Sequence, residues 1–210
     1  MSLIHHTTLK PTKLELLTEW LPTCPWYRGG AGQPLLTKVG GFRLDDPAGE
    51  VGIEFMVAAE GSTAYHVPLT YRGSPLEGMS DALIGTLEHG VLGLRWIYDG
   101  TRDPVLVRQL VALIQGEAEP QAQSESYTPD PTVLSWPAVD GTLDVAGFTV
   151  SDDAEGTTVS TGALSLLVHR VLRPVTGGGA APGAVSATWG LADGTQARGV
   201  FAAASYEPVA

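Results

Sequence analysis

The chain has 210 residues, of which 43% are hydrophobic and 17% charged, a composition that supports a packed core and excludes general disorder. The formal net charge of −11 argues against nucleic acids and anionic membranes, whose binding depends on clustered cations. A single cysteine, Cys24, excludes an internal disulfide, and no segment has the roughly 20 apolar residues of a membrane-spanning helix. The N-terminus lacks the pattern of a secretory signal, so we expect a cytoplasmic protein.

The negative charge is uneven: residues 1–116 carry 9 basic and 12 acidic side chains, whereas residues 117–210 carry 3 and 11. The change coincides with a segment rich in Glu, Gln, Ser and Pro, which can bury little surface and is typical of linkers. We therefore expect an α+β domain over residues 1–116, a linker or long loop over residues 117–131, and a β-rich part over residues 132–210.

Two helices are predicted in the first part. Thr12 and Glu15 have the spacing of a capping box, so the first helix is expected to begin at Thr12 and to end before Pro22. The second is expected over residues 103–114, with Asp103 as its N-cap and Gly116 just beyond its end. Its broad apolar face is wide enough to cover a sheet.

Short apolar runs bounded by Gly and Pro predict antiparallel strands between these helices. The predicted strands are residues 35–44, 51–59, 64–71 and 90–98, and the first two are expected to form a hairpin around the turn at residues 45–49.

The helical period disappears after the linker, and the remaining pattern predicts antiparallel strands. These are residues 142–150, 157–161, 164–172, 185–191 and 195–203. An Asp-Gly pair, Asp193 and Gly194, predicts the hairpin turn between the last two strands. The glycine-rich stretch at residues 176–183 has no following helix and no Lys, so it is interpreted as a loop and not as a phosphate cradle.

No pattern assigns a catalytic residue, a metal site or a cofactor. His5 and His6 are adjacent, so on a strand they would point to opposite faces, and the other histidines lack ligand spacing. The sequence contains no Gly-x-Ser-x-Gly motif, and Cys24 has no paired His signature.

Three groups that combine aromatic and arginine side chains are the candidate ligand or partner surface, because such groups stack on sugars and anchor interfaces. The alternative is that each ring closes the end of a core strand and each arginine pairs with an acid. The candidate residues are Trp26, Tyr27, Arg28, Tyr71, Arg72, Trp96, Tyr98 and Asp99.

Four segments resemble the N-terminal cap domain of maltokinases and related amino-sugar kinases, in particular the stand-alone cap-like proteins. They are Leu3–Leu14, Val39–Pro47, Tyr65–Arg72 and Tyr98–Pro104. The resemblance covers about the first 116 residues. It implies a cystatin-like fold, in which a curved antiparallel sheet packs with helices.

The segment Glu155–Arg173 resembles the opening strands of a kinase small lobe, where the family has a Lys that pairs with ATP phosphates. His169 stands where that Lys would fall, and a mostly neutral imidazole cannot replace a permanent ammonium there. Since the kinase catalytic motifs are also absent, the resemblance implies a cap followed by a degenerate small lobe and no kinase activity.

The resemblance thus implies a non-catalytic accessory or regulatory module. Its expected partner is a protein, such as a sugar kinase or another enzyme of maltose, trehalose, α-glucan or amino-sugar metabolism. One alternative is a module that binds a sugar or sugar phosphate through Trp26, Arg28, Tyr71, Arg72 and Tyr98. Another is an uncharacterised enzyme of carbohydrate metabolism. The oligomeric state stays open.

Overall fold

The structure is a computed structural model that describes residues 8–125, 127–137, 147–175 and 181–206. Some predicted features fall wholly or partly outside these residues, among them the adjacent histidines His5 and His6, the first part of the strand at residues 142–150, and the first part of the loop at residues 176–183.

Both predicted helices are confirmed. Helix α1 spans Lys13–Trp20, and Thr12 and Glu15 form the expected capping box, in which Thr12 N donates to Glu15 Oε2 at 2.6 Å. Helix α2 spans Pro104–Gln115, with the side chain of Asp103 capping its N-terminus. It ends at Gly116, whose φ of 78° is left-handed and therefore suits glycine. Neither α-helix of the described residues is long and apolar enough to cross a membrane.

The strands of the first part are antiparallel, as predicted. The described residues of this part form six strands, whereas four were expected. The segment at residues 83–89 was not predicted, because Gly85 and Thr86 interrupt its apolar pattern. The strand predicted to start at residue 90 instead starts at Gly93. The bounds are β1 Leu9–Lys10, β2 Thr37–Leu44, β3 Gly52–Glu60, β4 Thr63–Arg72, β5 Leu83–His89 and β6 Gly93–Asp99.

The later part is also built of strands, and the Asp-Gly turn joins the last two as predicted, with Gly194 at a φ of 83°. One long predicted strand is divided at Arg170, where the chain leaves one neighbour and pairs with another. The bounds are β7 Gln121–Ala122, β8 Leu134–Ser135, β9 Thr149–Asp152, β10 Gly156–Thr161, β11 Leu164–His169, β12 Val171–Leu172, β13 Ala184–Gly190 and β14 Gln196–Tyr206.

One sheet runs through both parts of the chain, in the order β1-β5-β6-β4-β3-β2-β13-β14-β11-β10-β9. The main path crosses from the first part to the second at a single residue pair, Gly40 opposite Trp189. Two short strands add further pairs, since β12 pairs with β4 and β7 pairs with β2. The predicted linker is therefore partly integrated into the sheet, while the division into two domains stays a prediction.

Helix α2 packs on this sheet through its apolar face, as predicted. Leu106, Leu110 and Ile114 are almost fully buried in a core that also contains Phe42 from β2 and Phe201 from β14. Each such aliphatic side chain contributes about 1.5–3 kcal/mol relative to an exposed position. The α+β class is thus shown, whereas the cystatin-like curvature implied by the resemblance stays a prediction.

Candidate functional site

A buried arginine connects the two parts of the chain. The Nη2 atom of Arg170 lies 2.6 Å from Asp99 Oδ2 and 2.9 Å from Thr101 Oγ1, and its Nε donates to Thr157 Oγ1 at 2.7 Å. Its side chain is fully buried and that of Asp99 is 5% exposed. A buried charge is tolerated only when it is paired and hydrogen-bonded, and this pair meets that condition.

Trp26 lies against the same guanidinium, with its ring centroid 4.9 Å from Arg170 Cζ. The ring also makes an edge contact with Trp20, at 5.7 Å between centroids, and the residue is 1% exposed. The surface position expected for Trp26 is therefore wrong: its side chain belongs to the core, where a cation–π contact stabilises the buried arginine.

The candidate residues of β6, Trp96, Tyr98 and Asp99, are also mostly interior. Tyr98 and Asp99 are 2% and 3% exposed, and the Tyr98 hydroxyl accepts a hydrogen bond from Leu76 N at 2.8 Å. Since Asp99 is ion-paired with Arg170 and Tyr98 is buried, neither Tyr98 nor Asp99 is free on the surface. Trp96 is partly buried on β6, opposite Arg72 of β4.

Tyr71 contributes to a second polar cluster, centred on Glu54 of β3. The Tyr71 hydroxyl donates to Glu54 Oε2, which also lies 2.6 Å from Lys13 Nζ, while Gln123 Nε2 donates to Glu54 Oε1 at 2.6 Å. Burial alone would raise the pKa of Glu54, but the Lys13 charge and the hydrogen bonds from Lys13 and Tyr71 hold it below its usual range. Burial and the neighbouring Glu54 charge raise the pKa of Tyr71.

Arg72 makes a bidentate ion pair with Asp103, with both N···O distances at 2.7 Å. Asp103 also accepts from Val105 N at 2.9 Å, so the same carboxylate caps α2. Because Arg72 is on β4, this pair fixes the start of the helix to the sheet. Arg72 and Tyr71, which the sequence assigned to a candidate surface, are held by acids of their own chain.

Arg28 and His169 are 141 positions apart, and the structure places them in one cleft of about 230 Å³ together with Glu155 and Arg173. The Arg28 side chain is 40% exposed, and its Nη2 lies 3.8 Å from Glu155 Oε1. Tyr27 is directed elsewhere, because its hydroxyl donates to Glu60 at 2.9 Å. Of the predicted site residues, the structure thus brings Arg28 and His169 together in an accessible cleft.

Among the larger clefts, two are formed by other elements. One, of about 730 Å³, lies beside the start of α2 and includes Arg102, Arg108 and Phe148, and Arg102 already pairs with Asp152. The other, of about 630 Å³, is mostly apolar and includes Leu35 and Trp189. The described residues contain no group of three or more His, Cys, Asp or Glu side chains that could hold a metal.

Sequence reasoning missed Arg170 and Glu54, the centres of the two buried clusters. Arg170 interrupts an apolar run, and Glu54 does so in β3, where its neighbours Ile53 and Phe55 are buried. A charged residue inside a predicted core strand was the available signal, since such residues are rarely buried unless paired. Their partners are distant in sequence, so the pattern alone could not identify them.

Residues 20–103 match the family described as the maltokinase N-terminal cap domain. This region runs from the end of α1 to the N-cap of α2 and includes both Tyr71-Arg72 and Tyr98-Asp99. No curated protein gives a significant match to the chain. The likeness of residues 155–173 to a kinase small lobe stays a prediction.

Proposed function

We propose that this chain, which matches the maltokinase N-terminal cap domain over residues 20–103, is a non-catalytic accessory module that binds an enzyme of sugar metabolism. The cap is a non-catalytic part of maltokinases, and residues 20–103 of this chain match it. The expected partners are sugar kinases and other enzymes of maltose, trehalose, α-glucan or amino-sugar metabolism.

The observation that carries this proposal is how the chain uses the polar residues of the segments that resemble the cap family. Arg72 pairs with Asp103, Asp99 with Arg170, and Tyr71 with Glu54. Because these pairs are internal, the three side chains from the matched region stabilise the fold instead of facing a ligand. This pattern supports a module that acts through its surface.

A suitable contact surface is the tip of the β5–β6 hairpin. Val91, Leu92 and Leu94 are 60%, 45% and 40% exposed there. Neighbouring exposed aliphatic side chains of this kind are typical of protein contact sites. The hairpin tip lies within the family match, and none of its three exposed side chains lines the clefts described above.

The test is direct binding to a purified maltokinase, measured by biolayer interferometry with the chain immobilised. We expect saturable binding that is reduced at least about tenfold by Leu92→Asp, because a charge placed in an apolar contact is costly to desolvate. Leu35→Asp is the matched control, since Leu35 is 86% exposed and far along the chain from the hairpin.

Two results would contradict the proposal. One is the absence of binding to maltokinase together with the recovery of no carbohydrate enzyme or kinase from a native lysate. The other is ATP-dependent phosphorylation of maltose or glucosamine by the purified chain alone, because that would make it an enzyme.

The alternative of a sugar-binding module receives little support from its predicted aromatic residues. Trp26 and Tyr98 are buried and offer no open ring face for stacking on a sugar, and the hydroxyl of Tyr71 is already bonded to Glu54. Calorimetry with maltose, trehalose and glucosamine tests this alternative, which would be supported by binding that Tyr71→Ala abolishes.

A further inference from the structure

The cleft that contains Arg28 and His169 is formed by segments that are distant in sequence. Arg28 lies in the loop after α1, Glu155 in the turn between β9 and β10, and His169 at the end of β11. Arg173 follows β12 and completes the polar side of the cleft. The remaining wall is apolar, made by Val171, Val175 and Val200.

The charge of this cleft is opposite to that of the chain. Two arginines face one glutamate here, whereas the whole protein has a net charge of −11. Burial and the neighbouring Arg173 charge lower the pKa of His169, so its imidazole is neutral at pH 7 and has one N–H to donate. The cleft thus combines two permanent cations with a neutral polar group.

Glu155 holds both arginines only loosely. Its two carboxylate oxygens lie 3.8 Å from Arg28 Nη2 and 3.8 Å from Arg173 Nη2, which is longer than a charge-assisted hydrogen bond. The side chain of Glu155 is 73% exposed, and those of Arg28 and Arg173 are 40% and 68% exposed. An exposed pair with this geometry contributes little, so an anion that reaches both guanidinium groups at shorter distances can displace Glu155.

We propose that this cleft binds a phosphate group, either as the free anion or on a small phosphomonoester, between Arg28 and Arg173. The planar guanidinium group matches phosphate oxygens in a bidentate manner, and two arginines from different segments can hold one group from two sides. A volume of about 230 Å³ admits a phosphate with a small organic group. The valine wall would contact the organic group. This site does not depend on the proposed binding to an enzyme.

The experiment is isothermal titration of the full chain with inorganic phosphate, glucose 1-phosphate and glucose. We expect binding of at least one of the two phosphates and no binding of glucose. Tighter binding of glucose 1-phosphate identifies a phosphomonoester as the ligand, and equal or tighter binding of inorganic phosphate identifies the free anion.

Three variants locate the site. Arg28→Gln and Arg173→Gln should each weaken phosphate binding about tenfold, because each removes a charge-assisted hydrogen-bonding group. Glu155→Gln should strengthen it about threefold, because it removes the competing anion. Arg108→Gln is the matched control: it removes an exposed arginine beside a different cleft and should leave the affinity unchanged.

The opposite sign expected for Glu155→Gln separates binding from misfolding, since an unfolded variant cannot bind more tightly. Thermal unfolding of each variant checks the fold independently. The proposal is overturned if neither phosphate binds the wild-type chain, if glucose binds as tightly as glucose 1-phosphate, or if Arg108→Gln weakens binding as much as Arg28→Gln and Arg173→Gln.

Discussion

Arg170 and Asp99 form an ion pair in the interior, 71 positions apart in the chain and 2.6 Å apart between Nη2 and Oδ2. Asp99 ends β6 and Arg170 precedes β12, so the pair connects the region that matches the cap domain to the later strands. The Arg170 Nη1 atom has no hydrogen-bond partner among the described residues. The stability of the pair therefore depends on the contacts made by Nε, by Nη2 and by the ring of Trp26.

Replacing Arg170 by Met should lower the free energy of unfolding by about 3–5 kcal/mol, because it leaves the Asp99 carboxylate buried without a counter-ion. Urea denaturation followed by tryptophan fluorescence measures this change. Arg108→Met, at an exposed position, is the control and should change the stability by less than about 0.5 kcal/mol. Equal effects of the two substitutions would show that the pair has no special structural role.

Glu54 should make the stability of the protein pH-dependent at acidic pH. Its pKa in the folded protein is below its usual range because of Lys13 and Tyr71, so its contribution is present above the unfolded pKa of about 4.3 and is lost as the pH falls through the folded pKa. At pH 7 we expect Glu54→Gln to cost about 1–3 kcal/mol, and this difference from wild type should shrink below about pH 4.

Urea denaturation between pH 3 and pH 7 provides the measurement for Glu54. Glu88→Gln makes the same chemical change at an exposed position and is the matched control. A difference between wild type and Glu54→Gln that stays constant down to pH 3 would contradict the assignment of an ionised, paired carboxylate.

His66 should also make the stability of the protein depend on pH, in a different pH range from Glu54. It is fully buried, its Nδ1 donates to the carbonyl of His169 at 3.0 Å, and burial lowers its pKa to about 3. The unfolded chain, with an ordinary pKa of about 6.5, takes up a proton that the folded chain does not, so stability falls as the pH decreases from about 6 to 4. The slope from this residue is about 1.4 kcal/mol per pH unit.

His66→Asn tests this prediction, because its amide nitrogen can replace Nδ1 as the donor and does not titrate. The variant should lose about 1.4 kcal/mol per pH unit of the wild-type dependence between pH 6 and pH 4. If its stability depends on pH as strongly as that of wild type, His66 is not the group that takes up the proton on unfolding.

Cys24 should react slowly although it is only partly buried. Burial is the main cause that raises the pKa of its thiol to about 12, and the thiolate is the nucleophilic form. At pH 8 we expect alkylation by iodoacetamide to be slower by roughly a hundredfold than in the urea-unfolded chain. Mass spectrometry of timed samples measures both rates, and similar rates in the two states would contradict the prediction.

Local sequence signals were sufficient where a few neighbouring residues determine the structure. The capping box of Thr12 and Glu15 fixed the start of α1, and Asp103 with Gly116 bounded α2. The Asp-Gly turn at Gly194 was equally local. In contrast, β5 escaped prediction because its apolar positions are interrupted, and its place in the sheet depends on pairing with β6 and β1.

The sequence by itself determined the α+β class, both helices, the resemblance to the cap family and the absence of recognisable kinase motifs, because these depend on local patterns and spacing. Tertiary structure decided which side chains are accessible. It buried Trp26 against the guanidinium of Arg170 and paired Arg72 with Asp103. It also brought Arg28, His169 and Arg173 into one cleft. Burial and long-range pairing arise only when distant segments of the chain pack together. They therefore cannot be predicted from a local pattern of residues.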